Sequence, residues 1–195
     1  LGASAGPIEV QGTPANNFLF RSPTLSTNPN QTLALVGGQV DINSANIVAP
    51  DGQVEIWALQ NGTVDIPTTG NWQLSSSSPS PTWGDVTLRQ SSYIDTSGAV
   101  GGPINIRGRG LTLQDGSHIQ SATGANQQGQ GITVQTTEFV DLLGASHPDN
   151  YFLPGLTTNV SQDNATAGDI QIDTQRLRVT NGAWVTSLVS TDPLV

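Results

Sequence analysis

A short pattern recurs along this chain and restricts what it can fold into. Two apolar residues, mostly β-branched, flank a polar one just after glycine: Gly6-Pro7-Ile8-Glu9-Val10, Gly38-Gln39-Val40-Asp41-Ile42, Gly84-Asp85-Val86-Thr87-Leu88, Gly102-Pro103-Ile104-Asn105-Ile106, Gly131-Ile132-Thr133-Val134 and Gly168-Asp169-Ile170-Gln171-Ile172. In five of the six copies a second bulky residue follows the first at an offset of seven: Val40/Ile47, Val86/Tyr93, Ile104/Leu111, Ile132/Phe139 and Ile170/Leu177. Two copies continue to a third strand-like piece at offset fifteen, Ile119 and Val185. A repeated unit of two or three short strands builds a stacked, quasi-linear fold rather than a globule around one centre.

Alternation assigns the faces of those strands. Val54-Glu55-Ile56, Val64-Asp65-Ile66, Leu111-Thr112-Leu113 and Leu177-Arg178-Val179 place one set of side chains inward and the polar set outward. No window sustains a helical period. Asp51-Gly52, Asn61-Gly62, Asp115-Gly116 and Asn181-Gly182 supply turns. Such dipeptides ordinarily close hairpins, but the constant offset of seven fits a strand, a tight bend and another strand. Three such sides make one coil, and stacked coils pair equivalent strands in parallel. The fold expected is a parallel β-helix over residues 1–195, one fragment of a longer protein. The spacing of 18 from Val86 to Ile104 reads as one bare coil. About seven to nine coils would give a rod on the order of 35–45 Å long.

Two stretches break the pattern and read as excursions, about 57–83 and 147–166. The first holds the run Ser75-Ser76-Ser77-Ser78-Pro79-Ser80-Pro81, the second Pro148, Pro154 and Gly155. Phe18, Phe20, Leu25, Leu33 and Leu35 suggest a further extension folded against the side of the rod.

Composition narrows the function classes. The 195 residues carry a net charge of −9, with six arginines and no lysine. A nucleic-acid backbone or an anionic membrane surface would be repelled. Cysteine is absent, which removes disulfides, thiolate metal sites and thiol nucleophiles together. No apolar run approaches the roughly 20 residues of a membrane span. The chain starts at Leu1, shows no signal peptide and contains no methionine, so it reads as an internal piece.

The stretch Thr32-Leu33-Ala34-Leu35-Val36-Gly37-Gly38-Gln39-Val40, followed by Ile47-Val48-Ala49-Pro50-Asp51-Gly52-Gln53-Val54-Glu55-Ile56, resembles filamentous-haemagglutinin-type exoproteins of bacterial two-partner secretion, the large cyanobacterial versions above all. Ile132 to Glu138, Ala165 to Thr174 and Val179 to Val185 resemble the repeat coils of the same proteins. The resemblance implies a right-handed β-helix, export through a partner outer-membrane β-barrel transporter, and a secreted location at the bacterial surface or in the extracellular matrix. The family's export domain carries an Asn-Pro-Asn-Gly-type motif. Asn28-Pro29-Asn30-Gln31 is only similar, and reads as an incidental turn. The fragment is therefore expected at the end of the export domain or just downstream of it.

Catalysis is the rival reading. Polysaccharide-processing β-helix enzymes need carboxylates close together. Here the acids are scattered singly, as at Asp41, Glu55, Asp65, Asp85, Asp141 and Asp169, although stacking could align Asp85 with Asp169. His118 and His147 are the only imidazoles, and nothing else converges on them in sequence as metal ligands would. Arg107, Arg109, Arg176 and Arg178 could form a strip for an acidic sugar, or compensate Asp169 and Asp173. Trp57, Trp72, Trp83, Tyr151 and Phe152, in or beside the excursions, are the candidate ligand contacts, because exposed aromatics stack on sugar faces. Equally, they could cap the apolar flank of the rod.

The sequence thus points to a non-enzymatic adhesin or extracellular structural element with no catalytic residue, metal or cofactor. Its expected partners are the transporter and a cell-surface or matrix glycan. An end-to-end filament of such rods is the structural alternative.

Overall fold

In a computed structural model, residues 5–13, 24–67, 72–76, 80–124, 126–144, 153–160 and 164–189 are described. Strands follow one another around a three-sided coil. An opening turn contributes β1 (Pro7–Gln11) and β2 (Leu25–Ser26). A complete coil follows in β3 (Thr32–Gly37), β4 (Gln39–Asn43) and β5 (Asn46–Val48). The third coil begins with β6 (Gln53–Asn61) and departs into β7 (Val64–Asp65), β8 (Gln73–Leu74) and β9 (Thr82–Trp83). It resumes with β10 (Asp85–Arg89) and β11 (Tyr93–Asp95). In the fourth, β12 (Ile104–Gln114) bends around two sides before β13 (His118–Thr123), and β14 (Ile132–Leu143) with β15 (Gly155–Val160) repeats this in the fifth. The sixth is β16 (Ile170–Asp173), β17 (Arg176–Thr180) and β18 (Trp184–Val189).

Each side is a parallel sheet, so the molecule is a parallel β-helix. The first face joins β3, the start of β6, the starts of β12 and β14, and β16. The second joins β1, β4, β10, the ends of β12 and β14, and β17. The third joins β2, β5, β11, β13, β15 and β18.

Register stacks like residues down the interior. Leu33, Val54, Ile104, Ile132 and Ile170 form the lead column of the first face. Ile8, Val40, Val86, Leu111, Val140 and Leu177 form that of the second. Ile47, Ile94, Ile119, Leu156 and Val185 run down the third. Val40, Val54, Val86 and Ile104 are fully buried, and the alternate positions Asp41, Thr87, Asn105, Thr133 and Gln171 face out. Burying these aliphatic columns is what offsets the ordering cost of so many short strands.

The glycine-led copies begin two different faces. Gly38 and Gly84 open the second, Gly102 and Gly168 the first. Both corners need glycine because coils approach closely there: a Cβ on Gly84 would run into the Gly38 carbonyl, and one on Gly102 into the Gly52 carbonyl. Val86 and Ile104 therefore belong to different faces, and the interval between them is not a full coil. Val86 stacks on Leu111 instead, and Ile104 on Ile132, so each coil is longer than the sequence spacing suggested. Six turns among the described residues give a rod of about 25 Å, shorter than expected from the sequence. Nor do Asp85 and Asp169 align, since they sit at different corners.

Two of the sevenfold offsets slip by one. Ile94 rather than Tyr93, and Val140 rather than Phe139, take the stacked positions. An extra corner residue enters in each case: Gln90 and Ser91 both turn left-handed, and the β12–β14 register shifts between Gly108 and Gly110. Asp115-Gly116 and Asn181-Gly182, also left-handed at both residues, turn the chain from the second face to the third instead of closing hairpins. Ser92 and Ser117 link that corner from coil to coil, Ser117 Oγ accepting the Ser92 amide and Ser92 Oγ that of Ala45. Their hydroxyls thereby satisfy backbone donors that the bends leave out of the ladders.

Leu25, Leu33 and Leu35 lie in coil strands β2 and β3 rather than in a lateral extension, while Phe18 and Phe20 lie outside the described residues. Asn28 to Gln31 forms a corner stacked on the next one, with the Asn30 amide donating to the Pro50 carbonyl at 2.9 Å. The second excursion is narrower than 147–166, since Gly155–Val160 is a third-face strand paired on both sides. No helix among the described residues is long and apolar enough to cross a membrane.

Candidate functional site

The first face carries two outward rows. One runs Ala34, Glu55, Asn105, Thr133, Gln171; the other Val36, Trp57, Arg107, Gln135, Asp173. Neighbours in a row are one coil apart, about 4.8 Å. Over the β6 end of these rows the first excursion folds back. β9 pairs antiparallel with β6, setting Trp83 opposite Leu59.

That cover buries groups that alternation assigns to solvent. Glu55 and Trp57 are each 1% exposed. Glu55 is the hub: its Oε2 accepts from Trp57 Nε1 at 2.7 Å, and its Oε1 from Asn105 Nδ2 at 2.7 Å and from Gln53 Nε2. A buried carboxylate is tolerable because three donors face it. Trp57 packs on Trp83 with ring centroids 6.1 Å apart. The Arg107 guanidinium lies 4.5 Å above the Trp57 ring centroid, in cation–π contact.

Two concavities open along these rows. One, of about 200 Å³, is lined by Glu55, Trp57, Trp72, Asn105, Thr133 and Gln171. The other, of about 190 Å³, is lined by Trp83, Gly108, Thr136, Thr137 and Asp173. Both share Arg107 and Gln135, so the two concavities adjoin across these side chains and together are termed the groove.

Arginine pairing separates this groove from the rest of the surface. Arg89 holds Asp41 bidentately at 3.1 and 3.0 Å. Arg109 pairs with Asp85 and, at 3.2 Å, with Glu138. Arg176 and Arg178 converge on Asp141. Compensation therefore operates, but through Asp141 rather than the Asp169 and Asp173 expected from sequence proximity. The Arg107 side chain makes no ion pair or hydrogen bond among the described residues. Burial holds its pKa below the ordinary guanidinium value, with the Glu55 charge opposing that shift; it stays charged at any physiological pH.

Of the aromatic candidates, Trp72 and Trp83 are half-buried, Trp72 lining the first concavity and Trp83 the second. Trp57 is its floor and offers no open ring face. Tyr151 and Phe152 lie outside the described residues. Glu55, Asn105, Gln135 and Gln171 escaped notice as site residues, because their convergence depends on register across coils. A column of outward amides at equivalent strand positions was the available signal.

His118 faces outward on the third face, stacked 5.9 Å from Tyr93 and edge-on at 6.1 Å to Trp184. Trp184 reaches it across Gly155, where any Cβ would meet the indole. Burial lowers the His118 pKa to about 4. His147 is outside the described residues. No group of three or more His, Asp or Glu converges as a metal site among the described residues.

Comparison with known families matches residues 1–111 to the TPS secretion domain. That span takes in the chain from its start through the beginning of the second-face part of β12, so secretion-domain sequence lies in the chain itself and the chain is not wholly downstream of it. Neither a curated protein nor a solved structure matches the chain.

Proposed function

The chain belongs to the exoproteins that carry a TPS secretion domain, and from that premise we propose that it acts as a surface adhesin of the filamentous-haemagglutinin type. It is a secreted protein, exported across the outer membrane by two-partner secretion with an outer-membrane transporter as its partner. Its action is display: the coils form a stiff scaffold, and the excursions offer the contacts. The observation that carries this reading is the groove under the first excursion. There two half-buried indoles line a groove rich in polar side chains, on a rod whose other described arginines are already paired. The second excursion, between β14 and β15, is the other proposed contact region, with Tyr151 and Phe152 as its aromatics.

The adhesin needs no chemistry of its own. Glu55 and Asp173 are the carboxylates of the groove, three coils apart, or about 14 Å. Carboxyl pairs of glycoside hydrolases stand about 5–9.5 Å apart, and Glu55 is already committed to three donors. This supports a binding role over hydrolysis. Replacing residues 61–81 by a short Gly/Ser linker is expected to leave the parallel β-sheet signature in circular dichroism and remove most adhesion to cells or to a glycan surface. Undiminished adhesion after that replacement and after deletion of 145–152, or release of reducing sugar by the intact chain, would refute the reading.

A further inference from the structure

We infer that the groove centred on Arg107 binds an uncharged oligosaccharide, as a segment of a neutral surface or matrix glycan. This rests on the adhesin reading and assigns it a site and a ligand class. Four observations converge on it. First, the Arg107 guanidinium lies over the Trp57 ring at 4.5 Å from its centroid, with none of its side-chain N–H groups used among the described residues. A guanidinium presents five donors in a rigid fork, a match for the oxygens of adjacent hydroxyls. Second, the surrounding side chains supply both donors and acceptors: Asn105, Gln135 and Gln171 carry amides, Thr133 a hydroxyl and Asp173 a carboxylate. Sugar hydroxyls require both. Third, Trp72 lines one concavity and Trp83 the other, where indole faces would cover the apolar C–H faces of sugar rings. Fourth, the polar rows repeat at about 4.8 Å per coil, a periodic lining suited to a polymer of repeating units.

Charge selects the neutral class. Arg107 is a single cation with Glu55 and Asp173 beside it, and the chain carries −9 overall. A uronate or sulfated chain would meet repulsion at long range and only one cation at short range.

The test is calorimetric titration of the intact chain with neutral gluco-, xylo- and manno-oligosaccharides of three to six units, beside oligogalacturonate and heparin fragments. At least one neutral series should bind, with affinity nearly independent of salt. Trp72→Ala, Arg107→Ala and Gln135→Ala should each weaken it about tenfold or more, one decade per 1.4 kcal/mol. Arg109→Ala, outside the groove, should leave it unchanged. Circular dichroism melts of each variant separate lost contacts from lost folding, and Gln135→Ala, at a half-exposed position, provides a folded variant if Arg107→Ala does not fold. Binding of the acidic chains alone, binding insensitive to Arg107 and Gln135, or no binding would overturn the inference. If adhesion depends on residues 61–81 while neutral oligosaccharides neither bind nor compete, this site assignment fails and the adhesin reading stands. If neutral oligosaccharides bind but no adhesion is measurable, the adhesin reading fails and the site stands.

Discussion

On the second face Arg89 clamps Asp41, Arg109 spans Asp85 and Glu138, and Arg176 and Arg178 share Asp141. On the first face, just ahead of Arg109 in the same strand β12, Arg107 lies on an indole with no carboxylate partner among the described residues. Both faces are parallel sheets over one aliphatic interior, and both present outward rows at the same coil spacing. The difference lies above the sheet. The second face neutralises its own charges across neighbouring coils, and is finished. The first is roofed at one end by the excursion, which buries Glu55 and Trp57 and leaves amides, a guanidinium and two indoles around a groove. A regular scaffold thus separates stabilising polarity from polarity available for contact, and it does so within one strand.

The largest effects should come from what the two faces share. Ile104→Asp places an unpaired charge beneath the first face, and Leu111→Asp beneath the second; each should cost more than about 4 kcal/mol or prevent folding. Ile170→Asp, in the half-exposed last coil, should cost distinctly less. Urea unfolding of the three variants checks the order, and equal midpoints would break the claim of a common interior. Trp57→Ala removes the floor on which Arg107 and Trp83 rest, and should cost about 3–5 kcal/mol, as for other buried tryptophans.

Next in size is a pH effect on the third face. His118 has a folded pKa of about 4, depressed by burial, against 6.5 unfolded. The unfolded chain therefore binds the proton first as pH falls. The stability associated with neutral His118 is full above pH 6.5 and lost as pH drops through 4, on the order of 3 kcal/mol in all. Asp95, raised by burial, acts in the opposite direction, so the comparison is with His118→Phe. Between pH 7 and 4.5 the melting temperature of the wild type should fall more than that of the variant.

Smaller effects sharpen the contrast between faces. Asp141→Asn strands two arginines on the second face and should cost about 1–2 kcal/mol, most of the pair being solvent-screened at the exposed arginine ends. Asp41→Asn should cost under about 1 kcal/mol. Arg107→Gln should change stability by no more than about 0.5 kcal/mol beyond its lost indole contact, and act on binding instead. A larger stability loss from Arg107→Gln than from Asp141→Asn would reverse the assignment of the two faces.

Much of the fold was legible because β-helix strands announce themselves locally. Val40-Asp41-Ile42 and Ile104-Asn105-Ile106 show which side chains face in without knowledge of their neighbours. The offset of fifteen from Ile104 to Ile119 correctly marked the third face. Phase was less accessible. Gly84-Asp85-Val86 and Gly102-Pro103-Ile104 look like the same element, yet one opens the second face and the other the first, since both corners demand glycine for the same steric reason. Without phase, Val86 seemed to stack on Ile104, and the coil count came out too high. The site depended on phase entirely. Trp72 and Trp83 stood out as aromatics beside a loop, but Glu55, Asn105, Arg107 and Gln135 meet only when β6, β12 and β14 are laid side by side in register.

That phase is open to direct measurement, because a chain without cysteine accepts engineered pairs cleanly. Thr87 on the second face lies beside Thr112 in the neighbouring coil, a parallel-strand separation of about 4.8 Å that a disulfide spans. The shorter coil, with Val86 stacked on Ile104, would instead place Thr87 beside Asn105. Oxidised Thr87→Cys/Thr112→Cys should form its intramolecular bond quantitatively, as read by thiol counting and mass spectrometry, while Thr87→Cys/Asn105→Cys should keep both thiols free. The reverse outcome would move Asn105 and Arg107 off the first face, away from Glu55 and Trp57, and contradict the groove and everything assigned to it.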